Sequence, residues 1–216
     1  MIGLLFDLDG VLVDTAKYHF LAWKKLAEKL AIPFSENDNE LFKGVSRVRC
    51  MDILLELGNR SMSAEEKERY CTEKNEIYLS YIQKLSPNEV FPGAREFLST
   101  ARNQGCKIAL GSASKNSRLI LDKLELTPFF DAIIDGTKVS KAKPDPEVFV
   151  RGAEELGLSC TECIVFEDAV AGVQAGHRGV MLVVGVGTRN RLPEADHVIS
   201  GFEGLTISDL LKALHQ

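Results

Sequence analysis

Six short apolar runs, at residues 3–6, 107–110, 132–134, 163–166, 181–185 and 197–199, alternate with helical patterns along most of the chain. Few folds accept that alternation. Apolar runs of this length fit strands buried on both faces, and strand–helix–strand repeats close as right-handed βαβ units around a parallel sheet. The expected fold class is therefore α/β, with a Rossmann-like parallel sheet covered by helices on both faces. Residues 16 to about 88 break the alternation and carry helical patterns alone. Tyr18, Leu21, Ala22, Lys25, Leu26 and Leu30 follow i, i+3, i+4 spacing. A second helix is predicted over 49–57 and a third, polar one over 63–84, where Ser63 and Glu66 form a capping box. This block reads as a helical cap domain, 16–86, inserted into a core of residues 1–15 and 87–216, with linkers near 13–16 and 86–91.

The first run ends in two acids, Asp7 and Asp9, followed by Gly10. Open α/β sheets place their ligands at the carboxyl ends of strands. Two carboxylates so close together call for a cation between them or for different roles, whereas a lone Asp-x-Asp-Gly is more often an ordinary turn. A second acidic pair, Glu167-Asp168, follows the run at 163–166. The run at 107–110 leads into Gly111 and Ser112, with Ser114, Lys115 and Asn116 close behind. Hydroxyls and free N–H groups at a helix start can cradle a phosphate or simply cap the helix. Lys143 precedes Pro144 in a loop ahead of another helical pattern, where a solvated lysine is the plainer reading.

Taken together, these strings resemble the haloacid dehalogenase superfamily. Its first motif is an apolar strand ending in Asp-x-Asp-Gly-[Val/Thr]-[Leu/Ile]-x-Asp-[Ser/Thr]. Asp7, Asp9, Gly10, Val11, Leu12, Asp14 and Thr15 match it position by position, and Ser112, Lys143 and Glu167-Asp168 match the later motifs in order. The resemblance implies Asp7 as nucleophile, Asp9 as acid and base, and Ser112 and Lys143 as phosphoryl-binding groups. It also implies Mg2+ held by Asp7, Glu167, Asp168 and the backbone carbonyl of Asp9.

Within the superfamily, the strings 18–28 and 43–47 of the cap resemble the β-phosphoglucomutase subfamily. That likeness implies His19 as a gate that positions the acid/base carboxylate. It further implies a substrate-binding set of Trp23, Lys43, Gly44, Ser46, Arg47, Ser114, Lys115 and Asn116. The implied substrate is a sugar phosphate, with β-glucose 1,6-bisphosphate as the activating intermediate. His19 and Trp23 could equally pack the cap interior, and the chain departs from related mutases at Val48-Arg49-Cys50. A sugar-phosphate or phosphoglycolate-like phosphatase would use the same four motifs and stays open, whereas the intact set of Asp7, Asp9, Ser112, Lys143 and Asp168 argues strongly against a phosphosugar-binding regulator.

Composition narrows the partners. The 216 residues carry a net charge of −5 with both signs interspersed, which disfavours nucleic-acid or acidic-membrane binding. No apolar stretch approaches the roughly 18 residues of a membrane helix. Five scattered cysteines, an odd number without framework spacing, suggest reduced thiols. A soluble cytoplasmic protein is expected, with nothing that demands more than a monomer.

Overall fold

The computed structural model describes residues 1–42 and 45–214. Its strands are β1 (Gly3–Phe6), β2 (Lys107–Gly111), β3 (Ala132–Ile134), β4 (Cys163–Glu167), β5 (Leu182–Val186) and β6 (His197–Ile199). They form one sheet, ordered β3-β2-β1-β4-β5-β6, in which every neighbouring pair is parallel. The expected parallel α/β sheet is thus present, with bounds shifted by a residue or two. The order reverses between β1 and β4, which makes their carboxyl ends the switch point of the sheet.

The helices are α1 (Ala16–Lys29), α2 (Glu36–Asn39), α3 (Arg47–Leu57), α4 (Ala64–Ile82), α5 (Ala94–Asn103), α6 (Ser117–Lys123), α7 (Glu147–Leu156), α8 (Val170–Arg178) and α9 (Ile207–Leu214). The chain divides into two compact units, Met1–Asp14 with Ser86–Gln216, and Thr15–Leu85. In the first unit β1 is wholly buried, and Phe6 stacks on Phe166 of β4 with ring centroids 4.4 Å apart. Phe97 of α5 and Phe202 close over that stack, so strand ends that carry acids stand on a rigid aromatic floor. In the second unit α1 packs on α4 and α3 on α4 around Trp23, Leu26, Met51 and Leu54. The Ser63–Glu66 capping box opens α4 as expected, because both partners fill orphan N–H groups of the first turn.

Candidate active site

The ladder between β1 and β4 runs one bond past the strand, with Asp7 N–H donating to Phe166 O at 3.0 Å. The chain then turns at once. Leu8 O accepts from the N–H groups of Val11, Leu12 and Val13 at 3.4, 3.0 and 3.3 Å, and Gly10 takes φ +83°. The strand does not continue through Asp9, so this turn, rather than strand alternation, sets the position of the second acid.

Lys143 is the electrostatic centre of this unit. Its Nζ donates to Asp7 Oδ1 and to Glu167 Oε1, both at 2.6 Å, and lies 4.7 Å from the Phe149 ring centroid. All three charged side chains are buried. Burial disfavours the ammonium, but Asp7 and Glu167 outweigh it and raise Lys143 above the ordinary lysine range. Burial likewise raises Glu167, against the pull of Lys143. Glu167 Oε2 accepts from Ala169 N–H at 3.0 Å, so both of its oxygens are engaged within the protein.

Two glycines make room for the acids. A Cβ on Gly172 would lie 1.8 Å from Glu167 Cδ, and one on Gly10 would lie 2.2 Å from Asp168 Oδ2. The turn after β1 therefore cradles the Asp168 carboxylate where any side chain would fill the space. Gly172→Ala should destabilise by about 1–3 kcal/mol through overpacking against a group with no freedom to retreat. Urea unfolding measures this, and an unchanged midpoint would mean that Glu167 is not so confined.

Ser112 follows β2, next to β1, and is buried; its Oγ accepts from Ser114 N–H at 3.2 Å. Ser114 Oγ in turn accepts from Asn116 N–H at 3.2 Å, and Ser117 Oγ donates to Ser114 O at 2.8 Å. These bonds fold residues 112–117 into a tight loop with Lys115 outward. Asp7, Ser112 and the Glu167-Asp168 pair thus stand at the ends of three adjacent strands.

In the helical unit, His19 stacks on Tyr78 at 4.0 Å, and the buried Lys74 Nζ lies 2.7 Å from His19 Nδ1. With an ammonium as donor, Nδ1 is the acceptor and Nε2 carries the proton. Burial, then Lys74, then Arg47 hold His19 well below the ordinary imidazole value of 6.5. Unfolded His19 takes a proton below that value while the folded ring stays neutral, so stability falls as pH drops through 6.5. Wild type should lose more stability between pH 7.5 and 5.5 than His19→Asn. Equal losses on urea unfolding would place the folded ring's titration in the ordinary range. Arg47 Nη2 donates to Asn75 Oδ1 at 2.7 Å, and the Ser46 hydroxyl caps α3 by accepting from Arg49 N–H at 3.3 Å.

The family model for haloacid dehalogenase-like hydrolases matches residues 3–179. The chain belongs to this family. The β-phosphoglucomutase of Bacillus subtilis is 39% identical over 218 residues, spanning 100% of this chain and 95% of that protein. A phosphorylated-carbohydrate phosphatase of Thermotoga maritima is 30% identical over 190 residues, 86% of this chain and 85% of its own length. Among solved structures, a β-phosphoglucomutase from Clostridium difficile superposes with a TM-score of 0.95 at 39% identity, covering 100% of this chain and 98% of that one.

Against that family background, the core brings Asp7, Lys143 and Glu167 into direct contact and sets Asp168 against the Gly10 turn. Trp23 is packed inside the helical unit, edge-on to Phe42 and under Lys74, and is 2% exposed. Lys43 and Gly44, expected at the substrate, lie outside the described residues. Nothing in the sequence singles out Lys74, Asn75 or Phe149 as partners of these side chains. No local pattern marks a lysine on a polar helix as the one that turns inward to a histidine 55 residues away. The cysteines are free, and burial raises Cys163 to about 11 and Cys50 to about 12, which leaves them poor nucleophiles.

Proposed function

We propose that this chain interconverts β-D-glucose 1-phosphate and glucose 6-phosphate by way of an aspartyl-phosphate on Asp7 and β-glucose 1,6-bisphosphate. The observation that carries phosphoryl transfer is Lys143, whose ammonium touches both Asp7 and Glu167 inside a buried cluster. A phosphoryl group arriving at Asp7 meets a fixed positive charge that is already desolvated and oriented. Asp7 Oδ attacks phosphorus while the P–O bond to the sugar breaks, and Ser112 Oγ and nearby N–H groups bind the phosphoryl oxygens. Asp9 gives its proton to the departing sugar oxygen. It takes one back from the hydroxyl that later receives the phosphoryl group.

The donor set fits Mg2+, which takes oxygen ligands and typically binds one or two carboxylates together with substrate phosphate and water. Among the described residues, no three His, Cys, Asp or Glu side chains converge on one metal position. Asp7, Asp168 in its Gly10 cradle and the Asp9 carbonyl nevertheless supply the oxygens such a site requires. Glu167, expected as a ligand, fits better as a counter-charge, since Lys143 and Ala169 N–H hold its two oxygens. When bound there, Mg2+ would add positive charge at the phosphoryl oxygens. Substrate contacts by Ser114, Lys115, Asn116 and Arg47 belong to the same proposal, as does His19's influence on Asp9.

What supports a mutase over a phosphatase is likeness along the whole chain to proteins named as β-phosphoglucomutases, at 39% identity. Phosphorus NMR with Mg2+, β-glucose 1-phosphate and a trace of the 1,6-bisphosphate tests it. Growth of the glucose 6-phosphate signal with little inorganic phosphate is the expected result. Release of inorganic phosphate in its place would favour the phosphatase reading.

A further inference from the structure

The turn that follows β3 contains a close approach that the chemistry above does not use. A Cβ on Gly136 would lie 2.2 Å from the Ala113 carbonyl oxygen and 3.2 Å from Lys115 Cγ. The backbone at Gly136 is not in the left-handed region, so space alone excludes a side chain there. Gly136 N–H donates to Ser114 O at 3.1 Å, bonding the turn directly to the loop that follows β2. The turn is itself anchored. Asp135 is 3% exposed, accepts from Thr137 N–H at 2.9 Å and from the Thr137 hydroxyl at 2.5 Å, and pairs with Arg118 Nε at 3.5 Å. Arg118 sits in the first turn of α6, immediately beyond the loop. Residues 135–137 therefore brace the 113–117 loop from behind, at Ala113, Ser114 and Lys115 and again at the helix that the loop leads into.

We propose that Gly136 is a positioning residue for substrate phosphate binding, acting through Ala113 and Lys115. This rests on the phosphosugar reading, in which Ser114, Lys115 and Asn116 bind the phosphate that is not being transferred. The absence of a side chain at 136 sets how far back the Ala113 carbonyl and the Lys115 stem can sit. A methyl group there pushes the outer part of the loop forward. The Ser112 hydroxyl accepts from Ser114 N–H, but its backbone is anchored apart from the loop, by its own N–H bond to Ile134 O at 3.0 Å, which holds it at the end of β2. The brace thus governs the end of the substrate that is held, not the end that reacts.

Two phosphoryl donors separate those ends. Acetyl phosphate is an acyl phosphate with no second phosphate to hold, whereas β-glucose 1,6-bisphosphate has one. In Gly136→Ala, KM for the bisphosphate should rise about 10-fold or more, while phosphorylation of Asp7 by acetyl phosphate keeps its wild-type rate. Thr137→Val removes only the hydroxyl bond to Asp135 and should shift KM in the same direction by less, which covers an alanine variant that folds poorly. In a Lys115→Met background the Gly136→Ala effect should shrink, because the two changes act on one contact. Equal losses with both donors, or no change with either, would overturn the positioning role. If wild type accepts phosphoryl from neither donor, the phosphotransfer reading itself fails, an outcome distinct from these.

Discussion

Asp7→Asn should abolish turnover while leaving the protein at least as stable as wild type. The amide keeps the shape of the carboxylate but cannot form an acyl phosphate, so kcat should fall by on the order of 10^4–10^6. The stability half of the expectation comes from charge. Lys143 faces two buried carboxylates, Asp7 and Glu167, so this trio carries two negative charges against one positive. Replacing Asp7 by Asn leaves one of each, and the remaining pair keeps its 2.6 Å contact. A surplus buried charge held in place for catalysis is the kind of feature that costs stability where it serves activity. A coupled assay for glucose 6-phosphate and a urea midpoint measure the two halves. Intact-mass analysis adds a third check, since only wild type should gain a phosphoryl group. A variant that is inactive but clearly less stable would show that Asp7 is held for structural reasons as well.

Lys143→Met should be inactive and also unstable, with the instability depending on pH. In the proposed reaction, removing the ammonium withdraws a charged partner from the transferring phosphoryl group, worth about 10^2–10^3-fold in rate. It also leaves Glu167 buried without its counter-charge, a change that costs about 3–5 kcal/mol in comparable buried pairs. The pH dependence follows from direction. Burial already raises Glu167, and losing Lys143 removes the main influence pulling it down. Between the ordinary glutamate value of 4.5 and the raised folded value, the folded state binds the proton that the unfolded state has released. Measured against wild type, which shares the His19 loss, stability of the variant should therefore increase as pH falls from 8 to 5.5. In wild type, Lys143 is raised, so its contribution is complete below 10.5 and is lost only as pH climbs through the higher folded value. Urea unfolding of Lys143→Met and of wild type at pH 8 and 5.5 checks the sign; a stability difference that stays constant with pH would mean that water reaches Glu167 and relieves its burial.

The order of strands and helices, and with it the parallel sheet, is legible in the chain alone. Each apolar run needs both faces covered, and that demand is local. The sequence also placed Asp7, Ser112 and Glu167-Asp168 at strand ends, because motif and strand are contiguous in the chain. The turn at Leu8 was less legible: alternation along a strand says nothing about where the ladder stops, and backbone bonds to Leu8 O end it before Asp9.

Which side chains meet across long stretches of chain emerges from packing. Lys143 reaches Asp7 across 136 residues, and Lys74 reaches His19 across 55. The Gly136 turn backs against Ala113 through contacts that no periodicity encodes. Glu167 likewise reads in the sequence as one of two equivalent acids. In the fold it is the buried counter-charge, while Asp168 rests half-exposed against Gly10. Periodicity reports the faces of a single element, whereas pairing depends on how elements pack. Burial then separates two adjacent carboxylates by making charge costly for one and leaving the other in reach of solvent.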